Sequence, residues 1–181
     1  NLWRHLGPFL GGQGIAIIAI SFLVKDTSGS LNLYLGEGRD EKLVPNVMHT
    51  ARFIWVISIV YLILGTIVLG LAGMFIGLKP QSAFFHGTCI FMAGFDTAGF
   101  SPQSPNILYY HSLIYEIVII FFMVIGSFNF NLHYQIWQGN FKEIWKNIET
   151  RTLLFVIMIV TLITMAGLRR LGVYSDGMIL F

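Results

Sequence analysis

Apolar residues fill four long stretches of the chain, at about 7–24, 52–77, 112–134 and 152–169. Charges mark their limits. Arg4 and Lys25 are separated by 20 uncharged residues, Arg52 and Lys79 by 26, Glu116 and Lys142 by 25, and Arg151 and Arg169 by 17. About 20 mostly apolar residues carry a helix across the hydrocarbon layer, with about 17 as the lower limit. Each stretch therefore predicts a spanning helix. A fifth apolar run, "AFFHGTCIFMAGF" at 83–95, has only 13 residues. At about 1.5 Å per residue it covers roughly 20 Å of a layer roughly 30 Å thick, and it predicts a half-helix that enters and returns.

Composition supports lipid as the solvent. The chain has 181 residues, 55% hydrophobic and 11% charged, where a soluble domain carries about 25% charged residues. The expected fold class is an all-α polytopic membrane protein with one re-entrant pore half-helix and a filter loop. Net charge is +2, and the basic residues lie between the spans rather than on one face. Nucleic acid is therefore not an expected partner. The single cysteine, Cys89, excludes an internal disulfide and reads as a small buried hydrophobe. The first residue is Asn, the first apolar segment is too rich in glycine for a signal peptide, and Phe181 falls inside fresh apolar text. An internal fragment of a longer protein is expected.

Charge also orients the segments. The link 25–51 with Arg52, and the link 135–151, together hold seven Lys and Arg residues, against four at Arg4, Lys79, Arg169 and Arg170. The positive-inside rule places both links in the cytoplasm. Pro45 suits the first turn of the helix leading into the second segment. Segments two and three then open to one outer side. A fifth full crossing at 83–95 would put the basic loop 135–151 outside, whereas a half-helix preserves the pattern.

Backbone returning from a half-helix is tolerated only inside protein or along a water-filled path. "DTAGFSPQSP" suits such a return: Gly99 permits unusual dihedrals, and Pro102 and Pro105 stop a helix. Such a strand can offer a row of carbonyl oxygens, the groups that replace an ion's hydration shell in cation filters. The half-helix would aim its negative end at that site. The same features also suit a plain buried hairpin.

Four stretches, in order, resemble the TrkH/KtrB/HKT superfamily of potassium transporters, and the TrkH branch most. "LWRHLGPFLGGQGIAIIAI" (2–20) is similar to the second helix of the family's first repeat, which typically reads WLGGMGI where this chain has GGQGI. "EGRDEKLVPNVMHTARFIWVISIVYLIL" (37–64) resembles the link and first helix of the second repeat. "HGTCIFMAGFDTAGFS" (86–101) resembles its pore helix and filter, and "IGSFNFNLHY" (125–134) its second helix end. By this resemblance, 1–24 ends repeat one, 25–51 and 135–151 are cytoplasmic links, 52–134 is repeat two with its half-helix at 83–95 and filter at 96–101, and 152–181 opens repeat three. The implied ligands of K⁺ are main-chain carbonyls at Thr97, Ala98, Gly99 and Phe100. Many second-repeat filters read Gly-Gly-Phe, so Ala98 departs from the pattern. The resemblance further implies a multi-pass protein of the plasma (inner) membrane, uptake driven by the membrane potential, and K⁺ as the transported ion without an organic cofactor. It implies as partners the remaining pore repeats, a second copy of the parent, and a cytoplasmic nucleotide-binding regulatory subunit. The alternative is a non-conducting packing or assembly module with a buried hairpin at 78–111.

Other residues carry weaker expectations. Asp96 precedes the filter, where a carboxylate could raise cation concentration at the pore mouth or brace the strand through hydrogen bonds. Glu116 is expected near the wet interface. Gly7 with Gly11, and Gly73 with Gly77, form G-x-x-x-G pairs that predict tight helix packing. Ser127, Asn129, Asn131 and His133 form a polar series late in segment three that suits hydrogen bonding between helices. The histidines at 5, 49, 86, 111 and 133 lack metal-ligand spacing, and no transition-metal site is expected. A Ser127/His133 catalytic pair fails because six helical residues turn about 240°. The chain is not expected to be an enzyme.

Overall fold

The computed structural model describes residues 2–14 and 47–170. They form helices α1 (Leu2–Gln13), α2 (Val47–Phe75), α3 (Pro80–Phe95), α4 (Leu113–Gly126), α5 (Phe130–Trp137), α6 (Glu143–Lys146) and α7 (Ile148–Arg170), with a 3-10 helix at Asn106–Tyr110. No hydrogen-bonded β-sheet occurs among the described residues, and "strand" below means only the chain segment 97–100. Two helices are long and apolar enough to cross a membrane, α2 over His49–Phe75 and α7 over Ile148–Arg170. The bent pair α4 and α5 makes a third if it is one crossing. The protein is thus an all-α polytopic membrane protein. The chain divides into two compact units, residues 1–131 and 132–181.

The first unit is built around α3. Its first turn starts at Pro80, whose fixed φ and missing N–H suit that position. The helix therefore begins three residues before the expected 83, and at 16 residues it reaches roughly 24 Å, still short of a crossing. Ala83, Gly87, Cys89, Ile90, Phe91, Met92, Ala93 and Phe95 are all buried along it. Phe91 stacks on Phe95 at 5.3 Å and meets Phe122 of α4 edge-on at 5.2 Å. Leu69 of α2, Phe9 of α1, and Tyr115 and Ile119 of α4 complete this core. α2 and α3 approach through small residues. A Cβ at Gly87 would lie 2.9 Å from the Gly70 nitrogen and 3.2 Å from the Thr66 carbonyl oxygen. In lipid, where apolar burial does not drive helices together, such close contact supplies the attraction.

Several expected boundaries move. Segment one was expected as one helix over 7–24; α1 instead begins at Leu2 and stops at Gln13, because Gly14 takes a left-handed φ of 87°. Residues 15–24, and the link 25–51 up to residue 46 with Pro45, lie outside the described residues. Of the G-x-x-x-G residues, Gly73 packs tightly, since a Cβ there would lie 3.2 Å from the Ala83 Cβ of α3, whereas the other three do not. Among the described residues nothing lies within 4 Å of a Cβ at Gly7, Gly11 or Gly77, and Gly77 instead closes α2 with φ 92°.

Segment three, expected over 112–134, is not one helix. Ser112 caps α4, its hydroxyl accepting from the Tyr115 N–H at 3.4 Å. The helix ends at Gly126, which lies against the end of α3: a Cβ there would collide with the Phe95 carbonyl. Ser127 turns its hydroxyl back to the Met123 carbonyl at 2.8 Å, and Asn129 starts α5 by accepting from the Asn131 N–H at 3.1 Å. Ser127 and Asn129 of the polar series thus serve a helix break and a new helix start, two local jobs suited to Ser and Asn.

In the second unit, α6 precedes α7, which starts four residues before the expected 152. Among the described residues, nothing buries the apolar window of α7. A helix apolar all round needs lipid or further protein against it.

Candidate functional site

The segment that returns from α3 begins at a helix end of unusual chemistry. The Ala98 N–H donates to the Ala93 carbonyl at 2.8 Å, and the Thr97 N–H to the Gly94 carbonyl at 3.2 Å. This pair of bonds is the Schellman motif, which needs a left-handed residue at its turn. α2 and α5 end the same way, with Leu78 bonded to Gly73 at 3.1 Å and Asn140 to Gln135 at 2.9 Å. Their turn residues are glycines, Gly77 with φ 92° and Gly139 with φ 87°. At the end of α3 the turn residue is Thr97, with φ 52°. A β-branched residue is strained there, and such strain gathers at functional sites. Two residues on, Gly99 has φ 72° with open space around a Cβ, so its backbone and not its neighbours requires glycine.

Thr97, Gly99 and Phe100 are exposed and Ala98 is half-buried. Among the described residues, no backbone N–H donates to the carbonyl of Thr97, Ala98, Gly99 or Phe100. Four consecutive carbonyls thus stand outside the ladders that occupy most of the chain. At the foot of this strand lies a cavity of about 350 Å³, lined by Gln13, Asp96, Thr97, Gly126, Ser127 and Phe130 among others.

Both ends of the strand touch α1. Asp96 Oδ1 accepts from Gln13 Nε2 at 3.4 Å, and Gln13 Oε1 accepts from Ser58 Oγ of α2 at 2.8 Å. Gln13 and Ser58 are buried. Gly12 makes room for the carboxylate, since a Cβ there would lie 2.5 Å from Asp96 Oδ1. At the other end the Arg4 guanidinium sits over the Phe100 ring, 5.0 Å from its centre. Spacing along the chain could not reveal these contacts, because Gln13 and Asp96 are 83 residues apart. The one available signal was a glutamine in an otherwise apolar, glycine-rich helix end.

The onward path is anchored to the start of α3. His86, buried, lies between Tyr110 and Gln103: its Nδ1 is 3.0 Å from the Tyr110 hydroxyl and its Nε2 is 3.4 Å from Gln103 Nε2. Each ring nitrogen thus meets a polar partner, Nδ1 the Tyr110 hydroxyl and Nε2 the Gln103 amide. Glu116 lies in the first turn of α4 beside a different, largely apolar hollow with Ile107, Leu108, Ile119, Ile120 and Met123. Among the described residues no cluster of His, Cys, Asp and Glu could hold a metal ion.

Comparison with known proteins shows the family. The family model described as "TrkH: Cation transport protein" matches residues 1–179. The Trk system potassium uptake protein TrkH of Escherichia coli (strain K12) is 28% identical over 97% of this chain and 36% of its own length. TrkG of the same organism is 29% identical over 96% of this chain and 35% of its own. TrkH of Halomonas elongata is 30% identical over 92% and 34% respectively. The chain therefore spans about a third of the length of these curated relatives. No solved structure matches it significantly. The chain belongs to the TrkH family of cation transport proteins.

Proposed function

We propose that this chain supplies one side of a potassium filter in a larger uptake protein of the plasma membrane. The observation that carries the reading is the strand 97–100, whose four carbonyls receive no backbone N–H among the described residues and whose backbone turns left-handed at Thr97 and Gly99. Carbonyl oxygens in a row replace the hydration shell of K⁺. The short helix α3 ends at this strand, so its negative end supports a cation there. Asp96 sets a carboxyl group at the foot of the strand, and the cavity below Thr97 gives a hydrated ion room to continue. The uptake proteins named above are Trk system components, which supports K⁺ as the cargo.

On this reading residues 1–24 end one pore repeat, 52–134 form the next and 152–181 open a third. The exposed side of the strand faces the other repeats of the parent chain. Assembly with a second parent and with a cytoplasmic nucleotide-binding subunit belongs to the same proposal. The test is uptake by the complete parent protein carrying Gly99→Ser, with surface amount controlled. The proposal expects a lower preference for K⁺ over Na⁺, since a Cβ strains the backbone at φ 72°. Unchanged uptake with unchanged ion preference would favour the non-conducting packing module.

A further inference from the structure

We infer that α1 is the positioning element of the filter strand, holding it at both ends through Gln13–Asp96 and Arg4–Phe100. This rests on the filter reading above and specifies which residues set the strand's position.

The geometry matches at both ends. Arg4 and Gln13 lie nine residues apart in α1, about 13–14 Å along the axis. Four steps of chain from Asp96 to Phe100 reach at most about 13–14 Å. One helix can therefore hold both ends of the strand, which runs antiparallel to α1. At the foot, the hold is specific. The Ser58 hydroxyl has one proton and donates it to Gln13 Oε1 at 2.8 Å or to the Ile54 carbonyl at 2.7 Å. Nε2 of the glutamine amide faces the Asp96 carboxylate, which only accepts. The reverse orientation would set two oxygens against each other. Asp96 is the residue directly before Thr97, so fixing its side chain fixes the entry into the strained turn. A residue held at φ 52° against its preference persists only where its surroundings over-determine it. The Schellman bonds fix Thr97 from the α3 side, and Gln13 fixes it from the α1 side. Gly12 is part of the same device, because only a residue without Cβ lets the carboxylate approach.

At the other end, the guanidinium lies within the roughly 6 Å range of a cation–π contact. It holds the Phe100 ring, and with it the last carbonyl of the row. None of these four side chains needs to touch the ion. They act through the strand, so their loss should change ion discrimination more than the amount of folded protein.

The charge-exchange pair tests this directly in the complete parent. Gln13→Glu sets a carboxylate against Asp96 and is expected to lower K⁺-over-Na⁺ preference and raise the KM for K⁺, each by about fivefold, a factor well within the loss of one polar contact. Gln13→Glu with Asp96→Asn restores a donor–acceptor pair in reverse and is expected to recover most of both losses. Failure of the double variant to recover, at equal surface amount, would overturn the proposal. If Gln13→Glu does not reach the surface, Arg4→Gln at the exposed end decides: a shift in ion preference supports the two-point hold, and an unchanged preference overturns it. Gly99→Ser, measured beside them, separates the two ideas. An effect of Gly99→Ser with none from Gln13→Glu or Arg4→Gln refutes the positioning role alone. No effect from any of them refutes the filter itself.

Discussion

The three Schellman ends allow a reciprocal exchange whose sign is set by one dihedral angle. Gly77 and Gly139 occupy the left-handed turn at φ 92° and 87°, while Thr97 occupies it at φ 52°. A non-glycine residue in that region costs about 1–2 kcal/mol, the upper end suiting a β-branched side chain. Thr97→Gly removes this strain but adds about 0.5–1 kcal/mol of unfolded-state entropy. The net expectation is a gain of about 0.5–1 kcal/mol in the stability of the helix end. Thr97 is exposed, so truncation leaves no cavity to offset the gain. Gly77→Thr, in open space, should by the same balance lose about 0.5–1 kcal/mol. The assay is thermal unfolding of the purified parent in detergent, followed by loss of its monodisperse chromatographic peak. The prediction is a higher midpoint for Thr97→Gly and a lower one for Gly77→Thr. Transport should move the opposite way for Thr97→Gly, with weaker K⁺ preference, because a slack turn no longer fixes the strand. A lower midpoint for Thr97→Gly, or equal shifts from both changes, would refute the strain argument.

Two further substitutions probe the supports of the strand. Gly126→Ala places a Cβ into the Phe95 carbonyl, backbone against backbone, so neither side can yield by changing a rotamer. It should cost about 1–3 kcal/mol, read as reduced surface amount and a lower unfolding midpoint. His86→Leu removes a partner of the Tyr110 hydroxyl and of Gln103. It should cost about 0.5–1.5 kcal/mol and speed hydrogen exchange in residues 101–111, with His86→Gln losing less.

Much of the architecture was legible in the spacing of charges. The runs after Arg52 and Arg151 became α2 and α7, and the apolar text too short to cross became α3, because length and hydropathy act locally. Where the reading departed, a contact distant in sequence decided. Segment three breaks after Gly126 because α3 ends against it, and nothing in 112–134 alone says so. α1 ends at Gln13, before the left-handed Gly14. Of the G-x-x-x-G residues only Gly73 meets a neighbouring helix, and the tighter approaches fall on Gly12, Gly65, Gly70, Gly87 and Gly126, chosen by what lies opposite. The strand 97–100 was identifiable from Gly99, the two prolines and the resemblance. The left-handed Thr97 was not, since threonine disfavours that conformation and only the surrounding bonds impose it.

The central claim is that the carbonyls of the strand 97–100 hold K⁺ in the assembled parent. Anomalous diffraction from crystals of that protein soaked in Rb⁺ tests it most directly. The account predicts a peak in direct contact with main-chain oxygens of Thr97 and Ala98, lost when Na⁺ replaces Rb⁺. A peak elsewhere in the protein, with these four carbonyls bonded to protein donors, would contradict it.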